Sequence, residues 1–173
     1  MGSDLSTPQS FAIGPYKLDM SIDGFGGPLP SVRDQTGLLL LEEITPAEYK
    51  VLPKTFKGEK IFKAPDVSFL GFSWNMMLGV VEGKIYKMSP SLWLPGKSQA
   101  DEAAMKVLDY CKSKLGEPEQ REGFASPETG SFMWHTSDGN VILEKPFETP
   151  LGFVINLFFT SRAARLFKKR GWF

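Results

Sequence analysis

His135 is the only histidine of the chain, so any histidine-based acid–base or metal chemistry depends on it. A site built from several histidines is thereby excluded. Ser131, Ser137 and Asp138 are its nearest companions for a hydrolytic triad. On a flat strand Ser131 and His135 would lie about 13 Å apart, too far for a hydrogen bond between nucleophile and base. A small hydrolase using His135 and a hydroxyl from elsewhere is therefore a third hypothesis, and a histidine that fills a sheet face is the simpler interpretation.

The other groups with reactive potential favour structural roles. Cys111 lies on the apolar side of a predicted helix, which indicates a buried and unreactive thiol. The acidic pairs Glu42-Glu43 and Asp101-Glu102 lie near predicted helix starts, where the helix dipole favours carboxylates. The glycines of 24–27 are followed by prolines instead of a helix, so no phosphate-binding loop is formed. The sequence predicts no nucleotide, no metal and no other cofactor.

The C-terminal stretch combines basic and aromatic residues. No acidic residue follows Glu148, and such a combination can contact an anionic surface. This pattern supports the alternative hypothesis of a peripheral envelope or membrane-associated protein. Its contact residues would be Arg165, Lys168, Lys169, Arg170 and Trp172. The simpler interpretation is an edge strand and tail that charge keeps soluble.

Composition sets the remaining limits. The 173 residues suit one domain, and 42% hydrophobic residues are typical of a globular protein. Twenty basic residues balance twenty acidic ones, so nucleic acid is not favoured as a partner. The single cysteine excludes an internal disulfide and favours a reducing compartment such as the cytoplasm. A periplasmic location would fit if an export signal had been removed.

One helix-plus-strand pattern occurs twice. In the second half, residues 98–115 repeat apolar positions at helical spacing, with Ser98 as the expected cap, Asp101 at the capping-box position and Gly116 as the stop. In the first half a shorter helix signal covers 45–51. Strand-like segments follow each helix: Lys60–Ala64, Val67–Phe72, Asn75–Val81 and Lys84–Ser89 in the first half, and Phe132–Thr136, Val141–Glu144 and Phe153–Thr160 in the second.

The repeated pattern predicts the fold class and the domain boundaries. We expect an α+β fold in which two tandem helix-plus-meander units form one antiparallel sheet with the helices on one face. Residues 1–10 are predicted to be flexible and 11–173 to form a single domain, with pseudo-repeats about 11–90 and 98–168. Segment 153–160 is apolar on both sides, which places it centrally. For segment 162–168 the sequence allows either a strand that returns along the sheet or a helical turn.

Three stretches carry a family resemblance. They are the helix with its Leu115-Gly116-Glu117-Pro118 ending, the strands of 132–160, and the opening Gly14-Pro15-Tyr16-Lys17-Leu18-Asp19-Met20-Ser21. This layout resembles the tandem α–β4 arrangement of β-lactamase-inhibitor-like proteins. It is also similar to single-unit lipoproteins of outer-membrane assembly. The resemblance implies binding through a sheet face instead of catalysis, although the disulfides of the family are absent here.

The leading functional hypothesis is a non-enzymatic bacterial binding protein, of inhibitor or immunity type, with a protein as its partner. Helices on one face would leave the other sheet face free, and aromatic side chains are the usual anchors of protein interfaces. The predicted contact residues are Trp74, Trp134 and His135.

Overall fold

The structure is a computed structural model that describes residues 7–21, 42–43, 59–121 and 130–166. Within these ranges the chain forms one antiparallel sheet of nine strands and one α-helix. The strands are β1 (Glu42–Glu43), β2 (Lys60–Phe69), β3 (Phe72–Val81), β4 (Lys84–Leu94), β5 (Glu119–Arg121), β6 (Ser131–His135), β7 (Gly139–Glu144), β8 (Phe147–Thr149) and β9 (Gly152–Ser161). The helix α1 spans Lys97–Leu115, and a short 3-10 helix spans Arg162–Leu166.

The sheet joins two meanders through their last strands. Its order is β1-β2-β3-β4-β9-β7-β6-β5, and β8 pairs with β9 off this path. β4 and β9 pair antiparallel in the middle, for example Met88 with Phe159 and Leu92 with Ile155. The antiparallel sheet and the central position of β9 confirm the coarse sequence prediction.

Two hairpins use backbone conformations that glycine favours. Glu82 and Gly83 have φ values of 52° and 77°, and Leu70 and Gly71 have φ values of 54° and 80°. Positive φ at both central residues is the signature of a type I′ turn, whose twist matches that of the flanking strands. The predicted Glu82-Gly83 hairpin is thus confirmed, and it sets the register between β3 and β4.

The predicted helix is confirmed, but its start differs from the prediction. Gly96 is the N-cap and no side chain caps the helix, so the assignment of Ser98 as the cap is wrong. Asp101 instead accepts a 2.8 Å hydrogen bond from Lys97 Nζ, one helical turn earlier. Gly116 ends the helix with a φ of 85° and a hydrogen bond from its N–H to Lys112 O. No helix of the described residues has both the length and the apolar character that crossing a membrane requires.

The helix packs on β4 and β9, and we call this side of the sheet the helix face. Alternate residues of each strand point to the same side, so every second side chain of a strand lies on the helix face and contributes to the core beneath α1. The buried stripe of the helix consists of Ala100, Ala103, Val107, Cys111 and Leu115. The opposite side is called the second face.

The first described segment also covers the helix face. Ile13 and Tyr16 are buried there, and the Phe11 ring lies 5.1 Å from that of Tyr110 in α1. Asp138, in the β6–β7 turn, accepts hydrogen bonds from the backbone N–H and the hydroxyl of Ser10. Residues 8–10, predicted to be flexible, are therefore held by the second meander.

Two segments near strand ends add detail to the sheet. Pro90 lies within β4, although proline is disfavoured in central strands. β4 continues to Leu94, and a 2.8 Å hydrogen bond from Ser91 Oγ to Asn156 Oδ1 joins it to β9 just beyond the proline. The segment after β9 forms the 3-10 helix, so it is not a return strand over its described residues.

The predicted first helix, at 45–51, lies outside the described residues. One α-helix is thus present in the part of the chain that the structure describes, and the strands around it form an antiparallel sheet.

Candidate functional site

An exposed group of polar side chains lies on the second face at the β5 end of the sheet. We call Glu119, Arg121, His135 and Asn140 the charged cluster. His135 and Asn140 are direct neighbours in the β6–β7 register, and β5 places Glu119 opposite Met133. Because residues two apart on a strand share a face, Met133 and His135 point to the same side. The strand pairing therefore brings side chains of β5, β6 and β7 together in the charged cluster.

Hydrogen bonds hold the charged cluster in one arrangement. His135 Nδ1 lies 2.8 Å from Asn140 Oδ1, which fits donation from the imidazole to the amide oxygen. His135 Nε2 lies 3.5 Å from Glu119 Oε1. Arg121 donates to Glu119 Oε2 from Nε and Nη2, at 3.2 and 2.9 Å. The glutamate thus bridges the arginine and the histidine.

The electrostatics of the charged cluster favour an ionised Glu119. The hydrogen bond from Arg121 lowers the pKa of this carboxyl, and the nearby charges of Arg121 and His135 act in the same direction. The Glu119 and His135 side chains are each 53% exposed. Water screens exposed ion pairs, so the cluster adds little to folding stability. Its groups are available to a partner.

Among the residues that the structure describes, the geometry does not bring the groups of a hydrolytic triad to His135. The two imidazole nitrogens face an amide and a carboxylate, neither of which is a nucleophilic hydroxyl. Ser131 is buried and pairs with Glu144, while Asp138 accepts hydrogen bonds from Ser10 and Thr136. Two of the three residues that the sequence offered as companions of His135 are therefore buried or engaged elsewhere, and the third, Ser137, is exposed in the turn after β6.

Two of the three predicted contact residues are in the core. Trp74 is 0% exposed and its Nε1 donates to Phe69 O at 3.1 Å. Trp134 is 2% exposed and donates to Gly116 O at 2.8 Å. Both rings lie on the helix face. The prediction that they lie on an accessible surface is wrong, because the end of β2 encloses Trp74 and provides its hydrogen-bond partner, and the residue directly after α1 does so for Trp134.

Some side chains on the second face are buried. Ile61, Val81 and Tyr86, on the first meander, are between 0% and 3% exposed. The predicted uncovered surface therefore does not hold at these three positions. The exposed polar groups of this face lie in two areas: on β5 and β6 they are Glu119, Arg121 and His135, and on β2 and β3 they are Lys63, Ser68, Ser73 and Asn75.

Most of the basic and aromatic C-terminal stretch lies outside the residues that the structure describes. Lys168, Lys169, Arg170 and Trp172 lie outside the described residues, and Arg165 is described only as part of the 3-10 helix backbone. The membrane-surface hypothesis thus stays a prediction. Arg162, at the start of this stretch, has a structural role, since its Nη2 donates to Thr136 O at 2.7 Å.

Sequence reasoning missed a polar row that continues from the charged cluster. The register leads from His135 to Asn140, Thr160 and Lys87 across four strands. Lys87 Nζ lies 3.7 Å from Glu59, whose side chain is fully buried. Burial lowers the pKa of Lys87, and the Glu59 carboxylate partly opposes that change. A lysine inside a central strand was the available signal, since a buried amine needs a partner.

Cys111 is buried, as the helical spacing predicts. Burial raises the pKa of the Cys111 thiol to about 12. Because the thiolate is the reactive form, the protonated thiol is unsuited to nucleophilic chemistry at neutral pH. The described residues also hold no group of three or more potential metal-ligating side chains.

Comparison of the chain with protein-family models, curated proteins and solved structures found no match in any of the three.

Proposed function

We propose that the protein is a non-enzymatic binding protein that contacts a partner protein through the charged cluster. The observation that carries this proposal is an exposed, hydrogen-bonded set of side chains on three adjacent strands of the second face. Rigid strands reduce the conformational entropy that is lost when a partner binds. An inhibitor or immunity-type role is the specific form that we favour.

The surroundings of the charged cluster fit an interface. Met133 and Phe158 are half-buried on the same face, and both are neighbours of Ile142 in the register. Apolar groups beside a polar rim are the usual composition of a protein interface. Since Arg121 and Glu119 carry opposite charges, the partner should present complementary charges of both signs.

Arg121→Ala and His135→Ala are expected to weaken partner binding at least about tenfold, because arginine is a frequent interface hot spot. The tagged chain and its variants would be used to capture proteins from the native cell extract, with quantitative mass spectrometry as the readout. Asp101→Ala is the matched control, since Asp101 also forms an exposed ion pair but lies on α1.

A partner of the proposed kind is retained by the unsubstituted chain and by Asp101→Ala, and is lost with both cluster variants. If every captured protein is retained by folded cluster variants, the proposed contact surface is wrong. Where the captured partner is an enzyme, a fall in its activity on adding the purified chain tests the inhibitor role.

We also propose that the chain consists of two tandem helix-plus-meander units. The sheet order supports this, because β2, β3 and β4 and then β6, β7 and β9 are neighbours that follow chain order, with β8 intervening before β9, and the last strands β4 and β9 pair antiparallel in the centre. The second unit has α1 before its meander. The first unit is expected to have a helix at 45–51. Backbone ¹³C chemical shifts in solution should show helical values there, and extended values throughout would contradict the duplication.

A further inference from the structure

The helix leaves part of its own sheet face uncovered. A helix with its side chains is about 10 Å across, whereas eight strands at a spacing of about 4.8 Å span nearly 40 Å. α1 lies over β4 and β9, and the segment around Phe11 packs beside Tyr110 in the second half of the helix. A hollow of about 370 Å³ lies between the first half of α1 and the strands β6 and β7. We call it the α1–β7 cavity.

The α1–β7 cavity has an apolar lining. Ala104 and Leu108 line it from the helix, and Phe132, Leu143 and Pro146 from the sheet. Met105 lies at its mouth with 56% of its surface exposed, which is high for a large apolar side chain. The volume lies in the range of about 300–1,000 Å³ that is typical of small-molecule sites. A methionine at the mouth can adapt its shape to a ligand.

The charge at the mouth of the α1–β7 cavity is positive. Lys145 Nζ lies 5.5 Å from the Phe132 ring centroid, directly beside the apolar lining. Asp101, on the same rim, is neutralised by Lys97 at 2.8 Å. Glu144 also borders the cavity, but it follows Leu143 on β7 and pairs with Ser131, so its buried side chain turns to the second face and away from the mouth. Lys145 is therefore the cation that a bound molecule would meet.

We propose that the α1–β7 cavity binds a small carboxylic acid with an apolar body, such as a medium-chain or aryl carboxylate. The apolar body fills the hollow beside Leu108 and Phe132, where its removal from water provides most of the affinity. The carboxylate pairs with Lys145 at the mouth and adds selectivity for anions. This site is independent of the proposed partner surface, because it lies on the other side of the sheet.

A second hollow offers an internal control. It lies on the opposite flank of α1, has a volume of about 200 Å³ and is lined by Phe72, Leu94 and Lys106. Lys106 Nζ lies 5.5 Å from the Phe72 ring centroid, which repeats the arrangement of Lys145 over Phe132. The two lysines differ in the size of the hollow that they border, so their variants isolate the effect of the larger one.

Calorimetric titration with decanoate, decanol and decylammonium, each below its micelle concentration, tests the ligand class. Decanoate should bind with a one-to-one stoichiometry. Decanol, which lacks the charge, should bind about threefold to fivefold more weakly, because an exposed ion pair contributes a factor of about this size to the affinity. Decylammonium, which Lys145 would repel, should bind more weakly still. Tighter binding of decylammonium than of decanoate would overturn the assignment of an anion, and absence of binding by all three would overturn the site.

Variants locate the site. Lys145→Met should weaken decanoate about threefold to fivefold and leave decanol unchanged, whereas Lys106→Met should change neither. Ala104→Phe fills the hollow and should reduce the affinity for both ligands at least about tenfold. Lys145 is exposed, so its variant remains informative if Ala104→Phe does not fold. An effect of Lys106→Met without one of Lys145→Met, or unchanged binding in a folded Ala104→Phe chain, refutes the proposal.

Discussion

Replacing Trp74 by alanine is expected to lower the free energy of unfolding by about 3–5 kcal/mol, the usual cost of removing a large aromatic side chain from a core. The ring is completely buried on the helix face and packs 5.9 Å from the Phe69 ring. The substitution also leaves Phe69 O without its 3.1 Å hydrogen bond from the indole. Since whole domains are stable by only about 5–15 kcal/mol, a loss of this size should be obvious.

Urea unfolding followed by far-UV circular dichroism measures this change. Trp93→Ala is the matched control, because Trp93 lies on the adjacent strand β4 and is 45% exposed. Its effect should be about 1 kcal/mol or less, as for most surface substitutions. If the two variants lose equal stability, or if Trp74→Ala is as stable as the unsubstituted chain, the burial of Trp74 is wrong.

Stability measurements on these variants also show which substitutions can be used to test partner binding. Loss of partner binding in Trp74→Ala would follow from unfolding, so it would say nothing about a contact. The charged cluster does not have this ambiguity, since its side chains are exposed and contribute little to stability. Substitutions at Arg121 and His135 therefore provide the cleaner test of the proposed function.

Local sequence signals predicted the elements well. The apolar spacing of α1, its Gly116 stop and the Glu82-Gly83 turn each depend on residues within a few positions of one another. The backbone itself imposes these patterns, because the helix period and the positive φ of a turn are local properties. The central position of β9 was readable for a similar reason: a strand that is apolar on both sides needs cover on both.

The side of the sheet that the helix covers was not readable in the same way. Alternation along β6 places the consecutive residues Trp134 and His135 on opposite sides, so they cannot share a site, but it does not say which of the two is buried. Several strands have bulky residues on both sides, and the side that receives the helix depends on tertiary packing. The charged cluster also joins Glu119 to Asn140 through a strand register that no local pattern specifies.

The two candidate surfaces have different physical origins. On the second face, short outer strands place polar side chains at an edge, where they are exposed and linked to one another. On the helix face, a helix narrower than the sheet leaves an apolar hollow beside it. The first surface offers directional hydrogen bonds and charges, and the second offers apolar volume. A protein partner suits the first, and a small apolar acid suits the second.

Replacing Gly139 by alanine is expected to destabilise the fold by about 3 kcal/mol, at the upper end of the cost of overpacking. The sequence predicts a turn at Asp138-Gly139, and a turn is present, but Gly139 is required for a different reason. Thr136 N–H donates to Gly139 O at 2.8 Å, so Ser137 and Asp138 are the loop residues and Gly139 begins β7. A Cβ at Gly139 would overlap Thr160 O, a backbone atom of the neighbouring strand β9.

Backbone atoms cannot move aside as a flexible side chain does, so β7 and β9 would have to separate. That separation would disturb the turn that binds Ser10 through Asp138 and the 3-10 helix through Arg162. Gly96→Ala is the control, because its nearest neighbour is the end of the Gln99 side chain at 3.5 Å and its φ is −119°. Thermal and urea unfolding should show a loss of about 1 kcal/mol or less for Gly96→Ala. Equal stability of the two variants would mean that β7 and β9 do not approach each other as closely as the structure places them.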